Sequence, residues 1–251
     1  MGSAHEWLGG RNAVGEVVRA GRRRVHRLCV LQTADRRGAL EHLIQAAQTA
    51  AIPIEFVPHQ ALDPLVEHHQ GVAAEVDPYP YVGLDEVFRL AEERQEPLFV
   101  LLLDMIQDPQ NLGTLLRSAE AVGVHGVVIP SRRSAGITEA VVRSSAGACE
   151  HMRVAQGNLV QAIEAIQRKG GWVYGLEAGP QALPLAQVSL TGGLGLVVGN
   201  EGEGMRRLVR QACDQLVQLP MRGRVTSLNA SVAGSVALYA VLAARQGAGQ
   251  D

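Results

Sequence analysis

Three segments of this chain place small or polar residues directly after apolar runs, where a core would otherwise continue. The first is DMIQDPQNLGTLLRSAEAVG, residues 104–123. Asn111 in it can cap a helix, and Leu112, Leu115, Leu116 and Ala119 give that helix an apolar face. Arg117 lies about 100° round from Leu116, off that face, where a guanidinium meets solvent or an anion. The second is LGLVVGNEGEGM, residues 194–205, in which a strand pattern runs straight into Gly199, Asn200, Glu201, Gly202, Glu203 and Gly204. Glycines there allow a sharp turn and close approach of a ligand to the backbone. A helix expected over 204–212 would present free amides to an anion. Neither GxGxxG nor GxxxxGK[ST] occurs in this segment, so dinucleotide and P-loop readings fail on pattern. The third is LPMRGRVTSLNASVAGSVAL, residues 219–238. Its Leu219-Pro220-Met221 turn leads to Ser227, Asn229 and Ser231 at the entry of an Ala-rich helix, where capping alone would account for them.

The elements that must position these segments follow from periodicity. LFVLLL, GVVIP, WVYGL, LGLVVG and QLVQLP are continuous apolar runs, as in parallel strands buried on both faces. Helical patterns lie between them near 111–122, 138–146, 158–169 and 204–212, with a last helix over 229–245. Strand and helix alternating in this way give an α/β fold with a parallel sheet and right-handed crossovers. Ligands of such sheets bind beyond the carboxyl ends of the strands, which is where all three segments fall.

The front of the chain reads as a smaller α/β unit over residues 1–76. Helices are expected over 12–18 and 38–51, the latter from Leu40, Leu43, Ile44 and Ala47 at i, i+3, i+4 and i+7. Strands are expected at RVHRLCVL and IPIEFV, and a further helix from Asp63 as cap with Pro64 at its first position. Residues 77–96 read as a linker, since DPYPY cannot hold regular structure, with a short helix over 85–93. The remainder, 97–251, is the parallel-sheet domain.

Composition narrows the class. At 251 residues, 47% hydrophobic and 19% charged, the chain can build a sizeable core. No apolar run approaches the roughly 18 residues of a membrane helix. The first residues show no signal-peptide pattern, so a cytoplasmic protein is expected. Cys29, Cys149 and Cys213 stand far apart, and the eight histidines are scattered. Free buried thiols and no metal are therefore expected. The net charge of −2 hides a basic stretch: between Arg11 and Arg37, eight arginines face only Glu16 and Asp35. Either a solvated face or an anionic partner follows from that. Arg19, Arg22, Arg23, Arg24 and Arg27 are the candidate contacts for such a partner.

In that order and spacing, NLGTLLR, VVGNEGEGM and LPMRGRVTSLNASVA resemble the three motifs of the SpoU (TrmH-like) RNA ribose 2′-O-methyltransferases of the SPOUT superfamily. The match covers residues 97–251. Ala230, where Val is common, and Arg222 and Arg224 around Gly223 are small departures. At the front, GRNAV and HHQGVAA resemble the bacterial 23S rRNA guanosine 2′-O-methyltransferases. That subgroup carries a small N-terminal RNA-binding domain folded like a ribosomal protein.

The resemblance implies a deep trefoil knot in the parallel-sheet domain, S-adenosylmethionine bound in it, and a homodimer as the active form. On matching positions, Asn111, Arg117, Glu201, Ser227 and Asn229 would form the catalytic neighbourhood. Gly199, Asn200, Gly204, Leu219, Pro220, Met221, Ser227 and Leu228 would lie against the cofactor. The expected reaction is 2′-O-methylation of a ribose, that of a guanosine, in 23S rRNA. Alternatives are a tRNA-directed or antibiotic-resistance enzyme of the same fold, or a non-catalytic RNA-binding protein. Intact Arg117, Glu201, Ser227 and Asn229 count against the last. A sulfonium already activates the methyl group, so positioning and a proton acceptor are what the protein must add. An arginine keeps its proton at any ordinary pH. Arg117 therefore suits orienting the ribose and stabilising the alkoxide better than acting as base, and the base stays open.

Overall fold

The computed structural model describes residues 5–225 and 227–248. They form two compact units. One takes the chain up to Pro80 together with Gly136–His151, and the other takes Tyr81–Ala135 and the chain from Met152.

The first unit begins with β1 (Glu6–Gly9), α1 (Arg11–Ala20), β2 (Val25–Leu31) and α2 (Ala39–Thr49). It continues with β3 (Ile54–Val57), α3 (His59–Leu62) and β4 (Val72–Val76). The sheet order is β1-β4-β2-β3, with β4 antiparallel to both neighbours and β2 parallel to β3. The apolar stripe of α2 is buried at Leu40, Leu43 and Ala47, as its spacing demands.

The unit holds two strands beyond those expected and lacks one expected helix. β1 and β4 carry no sequence signal of their own, since EWLG is short and VAAEV has few β-branched residues. The helix expected from Asp63 does not form. Its carboxylate instead accepts from the rings of His59 (2.9 Å) and His69 (3.2 Å) at the end of α3. Nδ1 of His69 accepts the Gly71 N–H at 2.9 Å, so its proton sits on Nε2, facing Asp63. The trio closes on itself and pins the connection from β3 to β4.

The returning segment Gly136–His151 contains α6 (Glu139–Ser144). It packs against β1 and α1 of the first unit and adds a buried ion pair to it. The Arg23 side chain is fully buried and donates to both carboxylate oxygens of Glu150, at 2.9 and 2.5 Å. Glu6 supplies a second carboxylate at 3.1 Å, and the Tyr79 ring lies 5.1 Å beneath the guanidinium. Gly147, at φ +84°, approaches so closely that a Cβ there would lie 2.5 Å from that of Glu16. The expected division into 1–76, a linker over 77–96 and 97–251 does not contain this return, because Glu150 is 127 residues from its partner.

The second unit contains α4 (Leu84–Arg94), β5 (Phe99–Leu103), α5 (Pro109–Ala121), β6 (Gly126–Ile129), β7 (Val154–Gln156) and α7 (Leu159–Arg168). It ends with β8 (Trp172–Leu176), β9 (Leu183–Pro184), β10 (Leu194–Val198), α8 (Arg207–Ala212), β11 (Gln215–Gln218) and α9 (Ala230–Ala248). The sheet order is β7-β6-β5-β10-β8-β11-β9, and every pair is parallel. β5 and β10 are buried throughout, as their unbroken apolar runs require. The stretch expected as a linker is largely built in: Val87 and Phe88 of α4 join the core of Val100, Leu102 and Ile163.

α9 packs on α5 through its small residues. A Cβ on Gly234 would lie 2.5 Å from Leu115 and 3.2 Å from Val198. Its other side leaves Val232, Val236 and Tyr239 about half exposed. No described helix is long and apolar enough to cross a membrane. Burial pushes the Cys149 and Cys213 thiols up to about 12, so both are inert as expected.

Removing one partner of the Arg23–Glu150 pair leaves the other charged and buried. Arg23→Met or Glu150→Leu alone should cost about 3–5 kcal/mol in urea unfolding, and the double variant should recover most of that. Singles that unfold like wild type would contradict the assignment.

Candidate active site

The carboxyl ends of β8, β10 and β11 enclose a cavity of about 330 Å³. Its walls are residues 176–178 at the end of β8, 198–202 and Gly204 at the end of β10, Gln218, Leu219 and Met221 at the end of β11, and the entry of α9. Gly199, Asn200, Glu201, Gly204, Leu219, Met221, Ser227 and Leu228 all line it, while Pro220, Asn111 and Arg117 do not. Glu177 and Ala178 line it as well. Sequence reasoning missed them, although their position just past the WVYGL run was the available signal.

The loop after β10 is shaped by glycine. A Cβ on Gly199 would lie 2.5 Å from the Gly204 carbonyl carbon and 2.6 Å from the Met205 nitrogen, so no side chain fits. Asn200 and Gly204 exchange backbone hydrogen bonds of 3.1 and 3.0 Å that close the turn. The Asn200 amide donates to the Met105 carbonyl at 2.8 Å, tying this loop to the one after β5.

Free amides expected from a helix starting at 204 are not there. α8 begins at Arg207, and the N–H of Arg206 donates to Asp104 at 2.7 Å. The Arg206 guanidinium reaches the same carboxylate, also at 2.7 Å. Asp104 is fully buried at the end of β5. A carboxylate straight after LFVLLL was the signal for it.

Asn111 does not cap α5. Asp108 does, accepting from the Gln110 and Asn111 amides at 3.1 and 3.2 Å, with Pro109 in the first helical position. That frees the Asn111 side chain, whose Oδ1 accepts from Nδ2 of Asn229 at 3.1 Å. The same Nδ2 donates to Glu201 at 2.7 Å. On its other side, Oδ1 of Asn229 accepts from the amide (2.9 Å) and hydroxyl (2.6 Å) of Ser231, capping α9. One side chain thus joins all three segments at the mouth of the cavity.

Arg117 is not part of that junction. It stands exposed on α5, and among the described residues no hydrogen bond or ion pair links it to the cavity.

The arginine run is also placed differently from expectation. Arg19 pairs with Glu16, and Arg27 with Glu75 at 2.7 Å. Arg22 donates to Tyr79 and to the Pro80 carbonyl, at 3.2 and 3.3 Å, and Arg23 is buried with Glu150. The protein's own acceptors, scattered through the sequence, take most of this charge. Arg24 stays exposed.

The cavity suits a nucleoside-sized ligand: Leu176, Leu219 and Leu228 offer apolar walls, and backbone groups of the glycine loop offer polar contacts at close range. Comparison with known proteins gives this a family. Residues 98–239 match the model of the SpoU rRNA methylase family. The chain belongs to that family. Residues 7–82 match a second model, described as RNA 2′-O ribose methyltransferase substrate binding. YacO of Bacillus subtilis (strain 168), assigned to the TrmH family of tRNA/rRNA methyltransferases, is 41% identical over the whole of both chains. A TrmH family protein of Staphylococcus aureus (strain COL) is 39% identical over 96% of this chain and 97% of its own. Among solved structures, the SpoU methyltransferase AviRb of Streptomyces viridochromogenes, in complex with the cofactor AdoMet, superposes with a TM-score of 0.81 at 22% identity. It covers 96% of this chain and 91% of its own. The chain is thus a SpoU/TrmH methyltransferase acting on RNA.

The Asp104–Arg206 clamp should hold the glycine loop in place. Asp104→Ala should cost roughly 1.5–3 kcal/mol of stability, since it strands charged and backbone donors. It should also speed amide hydrogen exchange of residues 200–206. Unchanged protection there would contradict the clamp.

Proposed function

We propose that the chain methylates the 2′-hydroxyl of a ribose in 23S rRNA, that of a guanosine, with S-adenosylmethionine held in the cavity at the ends of β8, β10 and β11. The observation that carries this reading is Asn229 joining Asn111 and Glu201 at the mouth of a glycine-shaped, apolar-walled cavity. When bound, the cofactor supplies a methyl group on a sulfonium. Gly199, Leu219 and Leu228 would hold it, within the knotted passage of chain characteristic of the family.

The remaining work is positioning. Asn229 holds the Glu201 carboxylate and the Asn111 amide together, where they would orient the ribose. Arg117 stays protonated and would stabilise the alkoxide. Its separation from the cavity in one chain supports an active site completed by a second copy. The exposed stripe of Val232, Val236 and Tyr239 on α9 supplies an apolar face for a two-fold contact.

An rRNA target is favoured over a tRNA target by the two-unit layout. An rRNA methyltransferase of Sinorhizobium meliloti covers 94% of this chain with a TM-score of 0.74, whereas the TrmH/SpoU tRNA modifying enzyme of A. aeolicus covers 66%, with a TM-score of 0.55. Cytoplasmic action on ribosomal RNA belongs to the same reading.

Two experiments test it. Methylation mapping of 23S rRNA from cells lacking the protein should show one lost 2′-O-methylguanosine, restored by the wild-type gene. Unchanged rRNA with a lost tRNA methylation would overturn the target. Second, Arg117→Ala and Leu228→Glu should each be inactive alone. Mixed as subunits, they should regain about a quarter of wild-type turnover, since half the dimers carry one intact site of two. A mixture that stays dead would place each site within one chain.

A further inference from the structure

With the arginines of residues 19–27 largely engaged by internal acceptors, the first unit's free contact groups lie elsewhere. The connection from β2 to α2, residues 32–38, is exposed and carries Arg36 and Arg37. The Arg36 guanidinium lies 4.1 Å over the centroid of the Phe56 ring. Phe56 sits on β3, an edge strand, and is 40% exposed. Among the described residues of the first unit it is the only large apolar side chain so exposed.

The charges around it are unevenly spent. Asp35, the acid of this connection, accepts from the amide and the guanidinium of Arg37. Arg36 has no carboxylate partner among the described residues.

We propose that the Arg36–Phe56 stack, with Arg37 next to it in the same connection, is a site for an unpaired RNA nucleotide. The assignment rests on the reading of this chain as an RNA methyltransferase and names where its first unit grips the substrate. A guanidinium over an exposed aromatic ring pairs a cation with a π surface. An unstacked base packs on such a surface whatever its identity, while the neighbouring arginine meets the adjoining phosphate. A paired base offers no open face to it, so the platform selects loops and bulges over duplex.

The test is RNA binding by the full-length protein, measured by fluorescence anisotropy on a hairpin with an unpaired loop and on a fully paired duplex. Phe56→Ala and Arg36→Ala should each weaken hairpin binding roughly tenfold or more, and Phe56→Trp should restore it. Arg36→Ala should also lower the slope of log affinity against log salt by about one, whereas Phe56→Ala should leave it unchanged. Binding of S-adenosylmethionine and thermal unfolding should match wild type in all three variants. Wild-type hairpin binding unaffected by Phe56→Ala overturns the platform alone, as does duplex binding equally sensitive to these changes. A wild-type chain that binds neither RNA overturns both the platform and the reading beneath it.

Discussion

The catalytic unit depends on one side-chain amide. Asn229 caps the last helix with its oxygen and, with its nitrogen, holds Asn111 and Glu201. A cap of this kind contributes about 1 kcal/mol, and a bond to a carboxylate is roughly twice as strong as a neutral one. These energies are small beside the apolar burial in β5 and β10. What they add is coincidence: loops from three distant parts of the chain can close on one cavity only if this residue meets both partners at once. Asp104 does the matching work from below, holding Arg206 so that the glycine loop ends where α8 begins.

The substrate-binding unit shows a different economy of charge. Eight arginines in one stretch suggest a basic surface, yet most of them in residues 19–27 face acids of the same unit. Arg23 is the extreme case, fully buried with Glu150 as counter-charge. Ion pairs this deep specify which segments meet, because either charge alone would be costly to bury.

The sheet of the catalytic unit was readable from residue types, because strands buried on both faces leave unbroken apolar runs. The three site segments were readable for the same reason, since polar residues directly after such runs have to be explained. What escaped depended on distant partners. Asn111 looked like a cap until Asp108 and Pro109 took that place. The helix expected from 204 starts at Arg207, because residues 200–204 close a turn of their own. Charge counting gives the sign of a stretch and says nothing of whether Glu16, Glu75 or Glu150 will fold back on it. β1 and β4 form because they complete a sheet, which short segments cannot announce alone.

The most direct test of the Asn229 junction separates its two roles. Asn229→Asp keeps an oxygen to cap α9 but removes both donors and sets a second carboxylate beside Glu201. The account predicts thermal unfolding close to wild type and a fall in kcat/KM for RNA methylation of roughly a hundredfold, as for losing a charge-assisted positioning contact. An Asn229→Asp enzyme that is fully folded and turns over like wild type would contradict the account.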